Sequence, residues 1–178
     1  ITETLIPQVA AEGLADHVDV FCETNYFSVA EMEAVLTAGA AHGLPGKVHV
    51  NQFTSIGAIQ SAIRHKALSV DHLEVMEPAD MDALATADPC PIPTLLPSCS
   101  FFIRIPYAPA RQLMERDIAV ALATDLNPGT TPSGNMNLVF SLACIQLRML
   151  PEEVVNAMTL YSAAAMQLNA ELGSITVG

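Results

Sequence analysis

Basic residues are scarce in this sequence. Of its 178 residues, 7 are lysine or arginine and 19 are aspartate or glutamate, which gives a formal net charge of −12. Proteins that bind nucleic acids or anionic lipid surfaces need lysine and arginine to neutralise phosphate charges. The sequence therefore predicts no nucleic-acid partner and no membrane-surface partner.

A long hydrophobic run is also missing, although the sequence is apolar overall. Charged residues make up 15 % of it, and its mean hydropathy is +0.38. Such a chain can bury a sizeable core, which excludes intrinsic disorder. Its longest uncharged stretch, residues 126–147, contains two prolines, two glycines and four asparagine or glutamine residues. Because no continuous apolar run reaches about 18 residues, we expect no membrane span.

No Cys-x-x-Cys pair occurs in the sequence. Its four cysteines are widely spaced and lie in apolar segments, where buried free thiols are common. Unpaired thiols are typical of reducing compartments, and no signal peptide is evident. We therefore expect a cytoplasmic protein. The cysteines are Cys22, Cys90, Cys99 and Cys144.

Short apolar runs alternate with amphipathic stretches along the chain, and each run is followed by polar residues. This alternation predicts a parallel sheet with right-handed crossovers, whose active face lies at the carboxyl ends of the strands. No glycine-rich phosphate loop is present. A closed (β/α)8 barrel needs eight strands and roughly 250 residues, so five strands favour part of a barrel. The predicted strands are residues 18–22, 48–50, 67–70, 91–96 and 118–123.

Local signals predict where several helices begin. Ser28 followed by Glu31 has the spacing of a capping box, and this helix is expected to end at Gly43. Proline is favoured at the first position of a helix, and acidic residues are favoured in its first turn. Further helices are expected to begin near Pro78, Pro109 and Pro151.

His49 is the first residue that could carry chemistry. Strand alternation places His49 and Asn51 on one face and Val48 and Val50 on the other. If the valines pack under helices, His49 points into the barrel interior. Taken alone, however, a histidine in a strand is more often a core residue than a metal ligand.

His72 ends the next predicted strand unit and is flanked by two acids, Asp71 and Glu74. One interpretation is a solvated strand end, with Asp71 capping the following turn. The other is an imidazole that a carboxylate holds in one tautomer and presents to a substrate. The residues alone leave both interpretations open.

Asp125 follows the most apolar of the predicted strands. An acid in this position is rarely buried without a partner. It could cap the loop that follows, or it could bind a metal and move protons. Residues 127–132 form a loop rich in proline and glycine, whose backbone N–H groups and hydroxyls suit anion or amide recognition.

In a barrel, His49, His72 and Asp125 would converge at the mouth formed by the carboxyl ends of the strands. Histidine and aspartate ligands with an open position are typical of hydrolytic zinc sites. Such sites normally have three or more protein ligands, so two from this segment would be too few and the sequence lacks a partner for them. The segment 23–26 follows the first strand and could line this mouth, but a turn is the favoured interpretation.

Four segments carry a resemblance to a known family. They are Val-His-Val-Asn-Gln-Phe (48–53), Ser-Val-Asp-His-Leu-Glu (69–74), Ala-Thr-Asp-Leu-Asn-Pro-Gly-Thr (123–130) and Ser-Leu-Ala-Cys (141–144). In this order and at these separations they resemble the imidazolonepropionase family of the amidohydrolase superfamily. The resemblance implies a (β/α)8 barrel with one divalent metal, zinc or iron.

The resemblance also implies roles for individual residues. His49 matches the metal-binding histidine on the fifth strand of the family barrel, and Asp125 matches the metal-linked aspartate after the eighth. His72 and Asp125 match catalytic positions, with His72 near the ring carbonyl of the substrate. The positions that match substrate-binding residues are Gln52, Asn127, Gly129 and Thr130.

Gln52 departs from the family pattern, in which many members have a glutamate. An amide keeps the hydrogen bonds of that position but cannot accept a proton. The proton acceptor that remains is Asp125.

Two further features depart from the family. No His-x-His pair occurs in the sequence, although the superfamily carries one on its first strand. The C-terminal strands of the small β-sandwich that usually flanks the barrel also stop short. The chain therefore resembles the fourth-to-eighth-strand portion of a longer enzyme, with residues 1–172 as a partial barrel and 173–178 as the start of the sandwich segment.

The reaction that the resemblance implies is hydrolysis of a cyclic amide C–N bond, which converts 4-imidazolone-5-propanoate to N-formimidoyl-L-glutamate in histidine degradation. The alternatives are another cyclic amidohydrolase, a deaminase of the same superfamily, or a binding fragment without catalytic activity. The partner is then a small-molecule substrate. Because half of a barrel would leave sheet edges and apolar surface open, we expect a homodimer or other self-association, and little activity from this chain alone.

Overall fold

The computed structural model describes residues 1–177. Five parallel strands form one sheet, and their spatial order follows their order in the chain. A doubly wound sheet has a point at which the strand order reverses, whereas a barrel adds each strand beside the previous one. The chain therefore has the fold of part of a (β/α)8 barrel, as the sequence predicts. The strands are β1 (Val18–Cys22), β2 (Gly46–Val50), β3 (Ser69–His72), β4 (Ile92–Leu95) and β5 (Ala121–Leu122).

Helices connect the strands and pack against the sheet. Val48, Val50 and Val70 are completely buried and belong to the hydrophobic core. A π-helical turn, Ala157–Tyr161, links the last two helices. The helices are α1 (Leu5–Ala11), α2 (Val29–Ala41), α3 (Ala58–Arg64), α4 (Pro78–Thr86), α5 (Pro97–Ile103), α6 (Ala110–Met114), α7 (Met136–Ile145), α8 (Pro151–Asn156) and α9 (Ser162–Ala165).

The predicted start of α2 is confirmed in detail. The hydroxyl of Ser28 accepts a hydrogen bond from the N–H of Glu31 at 3.3 Å, and the Glu31 carboxylate accepts one from the Ser28 N–H at 2.8 Å. Gly43 lies two residues beyond the end of α2 with φ of +75°, a conformation that glycine adopts without steric cost. The reciprocal bonds satisfy two of the N–H groups that a helix start leaves free.

Only β1 has its predicted bounds; β2 and β4 differ by one or two residues at their ends, and β3 and β5 differ more. β3 is shifted by two residues, because the Ala67 N–H bonds to Ala62 O and so closes the end of α3. As a result His72 is the last residue of the strand and pairs with Val50. β5 is only two residues long, because the N–H of Ile118 bonds to Leu113 O in the turn after α6.

The C-terminal residues described by the structure, 173–177, adopt no regular element, and Gly178 lies outside the described residues. The boundary between a barrel and a sandwich segment at 172/173 stays a prediction. Within residues 1–177, no helix combines the length and apolarity that crossing a bilayer requires.

Candidate active site

His49, His72 and Asp125 lie together at the carboxyl end of the sheet. His49 is on β2, His72 ends β3, and Asp125 follows β5. Each offers one ligand atom, and these three atoms lie within 4.8 Å of one another. The two imidazole rings have their centroids 5.5 Å apart. Parallel strands therefore bring together three side chains that are up to 76 positions apart in the sequence.

His49 has a carboxylate partner on the neighbouring strand. Its Nδ1 atom lies 3.0 Å and 2.9 Å from the two oxygens of Asp19, which is on β1. Burial opposes protonation of His49, but the hydrogen bond and charge of Asp19, with the charges of Asp71 and Asp125, raise its pKa above the ordinary value. The carboxylates around this imidazole therefore favour a positive charge at this position.

The acid beside His72 is Glu74. The Nδ1 atom of His72 lies 3.4 Å from each carboxylate oxygen, and the geometry is that of a hydrogen bond only to Oε1. Asp71, the other acid that flanks His72 in the sequence, forms an ion pair with Lys47 instead. Its Oδ2 atom lies 4.0 Å from Nζ of Lys47. Backbone φ angles of +88° at His72 and +69° at Leu73 turn the chain sharply at the strand end. Two successive positive φ angles at non-glycine residues are costly and are typical of functional sites.

The loop after β5 is organised around Asp125 and Asn127. The Asn127 side-chain oxygen accepts hydrogen bonds from the N–H groups of Gly129, at 2.9 Å, and Thr130, at 2.8 Å. Its amide donates to Asp125 O at 2.8 Å. The Thr130 hydroxyl donates to the Asp125 carboxylate at 3.1 Å, and the Thr131 hydroxyl does so at 3.4 Å. The loop thus holds the Asp125 carboxylate in place.

Gln52 is buried and reaches the same site through Cys99. Its side-chain amide donates a hydrogen bond to the Cys99 sulfur at 3.3 Å. Burial raises the pKa of the Cys99 thiol to about 12, with contributions from the charges of Asp125 and Glu74. The thiol is therefore protonated at neutral pH and lies between Gln52 and Asp125.

The prediction that Asn51 lies on the same face of β2 as His49 is wrong. Asn51 follows β2 with φ of +56°, so strand alternation ends before it. Its amide donates to Val75 O at 2.8 Å and to the Asp80 carboxylate at 3.1 Å, away from His49. A left-handed conformation, which asparagine tolerates well, makes this change of direction possible.

Two buried carboxylates clamp the loop that carries Gln52. Glu23 accepts hydrogen bonds from the N–H groups of Phe53, at 2.9 Å, and Thr54, at 3.3 Å, and from the Thr54 hydroxyl. Burial by itself would raise the pKa of Glu23, but these bonds outweigh it and lower the pKa. On the other side, Asp80 accepts from the Ser55 hydroxyl at 2.9 Å. The turn interpreted at residues 23–26 is present, yet the clamping role of Glu23 was not visible in the sequence.

The donor set of His49, His72 and Asp125 suits a divalent cation. Two imidazoles and one carboxylate are ligands that zinc and iron accept. Three carboxylates raise the pKa of His49, so the surroundings compensate a positive charge. The residues present therefore fit such a cation as part of its ligand set.

Comparison with known proteins agrees with the resemblance that the sequence motifs indicate. No family model matches the chain. An imidazolonepropionase of Flavobacterium johnsoniae is 53 % identical over 178 residues, that of Christiangramia forsetii 52 %, and that of Deinococcus deserti 43 %. The resemblance to the imidazolonepropionase family is confirmed. It covers the whole chain but only 43 % of the Flavobacterium and Christiangramia proteins and 44 % of the Deinococcus protein.

Solved structures support the fold. An adenosine deaminase from Xanthomonas campestris with bound zinc matches 97 % of this chain and 45 % of its own, with a TM-score of 0.75 and 15 % identity. A mutant atrazine chlorohydrolase from Arthrobacter aurescens, complexed with zinc and atraton, matches 98 % of this chain and 46 % of its own, with a TM-score of 0.76 and 18 % identity. At this identity the likeness concerns the fold alone.

Proposed function

We propose that the complete protein containing this chain hydrolyses the cyclic amide C–N bond of 4-imidazolone-5-propanoate and yields N-formimidoyl-L-glutamate, a step of histidine degradation. The observation that carries the proposal is the convergence of His49, His72 and Asp125 from three separate strands. The relatives named imidazolonepropionase support it, since they match every part of the chain.

Of the three clustered residues, His49 and Asp125 would hold one divalent cation, zinc or iron, and His72 would face the substrate. When bound, such a cation acts as a Lewis acid and lowers the pKa of a water molecule towards about 7. Two ligands are too few for a tight catalytic site, which normally has three or more protein ligands. The remaining ligands would come from residues outside this chain, so the chain alone is expected to have little or no activity.

Asp125 is the group that moves protons. In the reaction, the oxygen of water forms a bond to the ring carbonyl carbon, the C–N bond breaks, and the departing nitrogen takes up a proton. The Asp125 carboxylate accepts the proton that the water loses and delivers it to the nitrogen. Hydrogen bonds from Thr130 and Thr131 keep the carboxylate oriented for both transfers.

His72 stabilises the charge that develops on the carbonyl oxygen. A hydrogen-bond donor aimed at such an oxyanion typically contributes about 3 kcal/mol. Glu74, 3.4 Å from Nδ1, fixes the ring orientation. Donation to the oxyanion requires a proton on the other ring nitrogen, Nε2.

Gln52, Asn127, Gly129 and Thr130 are proposed to line the substrate. Gln52 is fixed by the loop clamp of Glu23 and Asp80, and Asn127 shapes the loop that carries Gly129. Since Gln52 cannot accept a proton, its contribution is to orient the substrate by hydrogen bonds.

The wider setting is proposed on the same basis. The substrate is a small molecule, the compartment is the cytoplasm, and the protein forms a homodimer or self-associates. Residues 1–172 belong to the barrel, and 173–178 begin a flanking sandwich segment.

The test is an assay of the purified complete protein that follows both the loss of 4-imidazolone-5-propanoate and the formation of N-formimidoyl-L-glutamate. A deaminase would release ammonia instead, and a binding protein would retain the substrate unchanged. Formation of the ring-opened product supports the proposal. Ammonia release, or binding without turnover, would contradict it.

A further inference from the structure

A second cluster of metal-type ligands lies beside the candidate active site. It consists of His72, Glu74 and Cys99, whose ligand atoms all lie within 4.8 Å of one another. The three residues are buried, with exposed fractions of 4 %, 7 % and 0 %. Imidazole, carboxylate and thiolate are all ligands of zinc. The cluster shares only His72 with the group formed by His49, His72 and Asp125.

Glu74 has a buried oxygen that lacks a hydrogen bond. Its side chain is 1 % exposed, and Oε1 accepts a hydrogen bond from the Ser100 hydroxyl at 3.0 Å. Among the described residues, Oε2 finds no hydrogen-bond partner, although the His72 imidazole lies 3.4 Å away. A buried polar atom without a partner costs about 1–3 kcal/mol, and more when it is charged. A cation in the cluster would remove this cost.

Gln52 is placed to support Cys99 as a metal ligand, because its side-chain amide can donate a hydrogen bond to the sulfur. The Gln52 amide donates to the Cys99 sulfur at 3.3 Å. Such a donor stabilises a thiolate, whereas a glutamate in the same place could not donate and would repel it. The side-chain amide of Gln52 is therefore compatible with a sulfur ligand at Cys99.

We propose that His72, Glu74 and Cys99 form a second site that binds a thiophilic divalent cation such as zinc or cadmium. The carboxylate and the thiolate together neutralise the charge of the cation. On binding, the sulfur–metal bond replaces the S–H bond, and the proton leaves to solvent. Ligands at bond lengths of about 2.0–2.3 Å in a tetrahedron lie about 3.3–3.8 Å apart, so side-chain shifts of about 1 Å complete the site.

Occupation of this site would inhibit the enzyme. His72 would be a ligand of the second cation and would no longer act on the substrate carbonyl. The inhibitory effect rests on the proposed function, but the cation site itself does not.

The test uses cadmium alone as the probe, added to the full chain. Thiolate ligation produces a sulfur-to-cadmium charge-transfer band in the ultraviolet, and the group of His49, His72 and Asp125 contains no sulfur that could produce it. We expect a saturable band with one cadmium per chain. The substitution Cys99→Ser should abolish it, while the matched control Cys90→Ser, at a partly exposed cysteine outside the cluster, should leave it unchanged.

A second variant tests the carboxylate without removing the thiol. Glu74→Gln replaces a charged ligand by a neutral amide, and because loss of even an outer partner of a ligand lowers metal affinity about 10- to 100-fold, it should weaken cadmium binding at least about tenfold. The proposal is overturned if no band forms, if the band persists in Cys99→Ser, or if Glu74→Gln binds cadmium as the unaltered chain does. The last result would mean that a single thiol captures the ion.

Turnover provides a separate readout in the complete protein. Excess zinc should inhibit it, and Cys99→Ser should relieve the inhibition, each relative to the activity of that variant without added zinc. Inhibition that is equal in both would contradict the regulatory role. Absence of turnover would contradict the proposed function, and the cadmium band would still test the site.

Discussion

Asp19 on β1 and His49 on β2 form a carboxylate–imidazole pair across two neighbouring strands, with Nδ1 of His49 2.9 Å and 3.0 Å from the two carboxylate oxygens. The pair leaves the other ring nitrogen of His49 available to a ligand. Carboxylates that hold a metal-binding histidine in this way fix its tautomer and increase its basicity. Asp19 is therefore a positioning residue for the proposed metal site.

The substitution Asp19→Asn should weaken divalent-metal binding by the complete protein. Removal of such an outer partner typically lowers metal affinity about 10- to 100-fold. The measurement is competition with a chelator of known affinity. Asp16→Asn serves as the control, because Asp16 is exposed in the loop before β1 and the same charge is removed. Equal affinities of the two variants would show that Asp19 does not support His49.

The pH dependence of stability should reveal the Glu23 clamp. Hydrogen bonds lower the pKa of Glu23 in the folded chain below its ordinary value of 4.5. Its stabilising contribution is therefore complete above that value and is lost as the pH falls through the lower pKa of the folded state. Urea unfolding of the complete protein and of its Glu23→Gln variant should differ by about 1–3 kcal/mol at neutral pH and converge in acid. A difference that stays constant with pH would contradict the clamp.

Self-association is expected when this chain is prepared alone. β1 and β5 each pair with one strand only among residues 1–177, so each has an edge open to further pairing. Sedimentation velocity over a concentration series should show oligomers or aggregates, and the complete protein gives the reference. A stable, monodisperse monomer of the chain would refute the expectation.

Much of the fold was predictable from the sequence, because strand and helix patterns are local. The capping box of Ser28 and Glu31, the parallel strands and their alternation with helices follow from short stretches of residues. The two-residue length of β5 was not predictable, because the turn after α6 and the register with β4 determine it.

The candidate site was predictable only in part. His49, His72 and Asp125 lie together because they occupy the strand ends, which the sequence marks; their chemical roles remain predictions. The partnership of Asp19 with His49 depends on the register between two strands, and that of Cys99 with Glu74 depends on the bend at His72. Neither relationship leaves a local sequence signal.

The central claim is that Asp125 transfers the proton in hydrolysis of 4-imidazolone-5-propanoate. Its most direct test is the turnover of the complete protein carrying Asp125→Asn, compared with Asp117→Asn, an exposed aspartate that loses the same charge. We expect Asp125→Asn to fold normally, as judged by circular dichroism, and to lose turnover, while Asp117→Asn keeps it. Turnover close to that of the unaltered protein in Asp125→Asn would contradict the account.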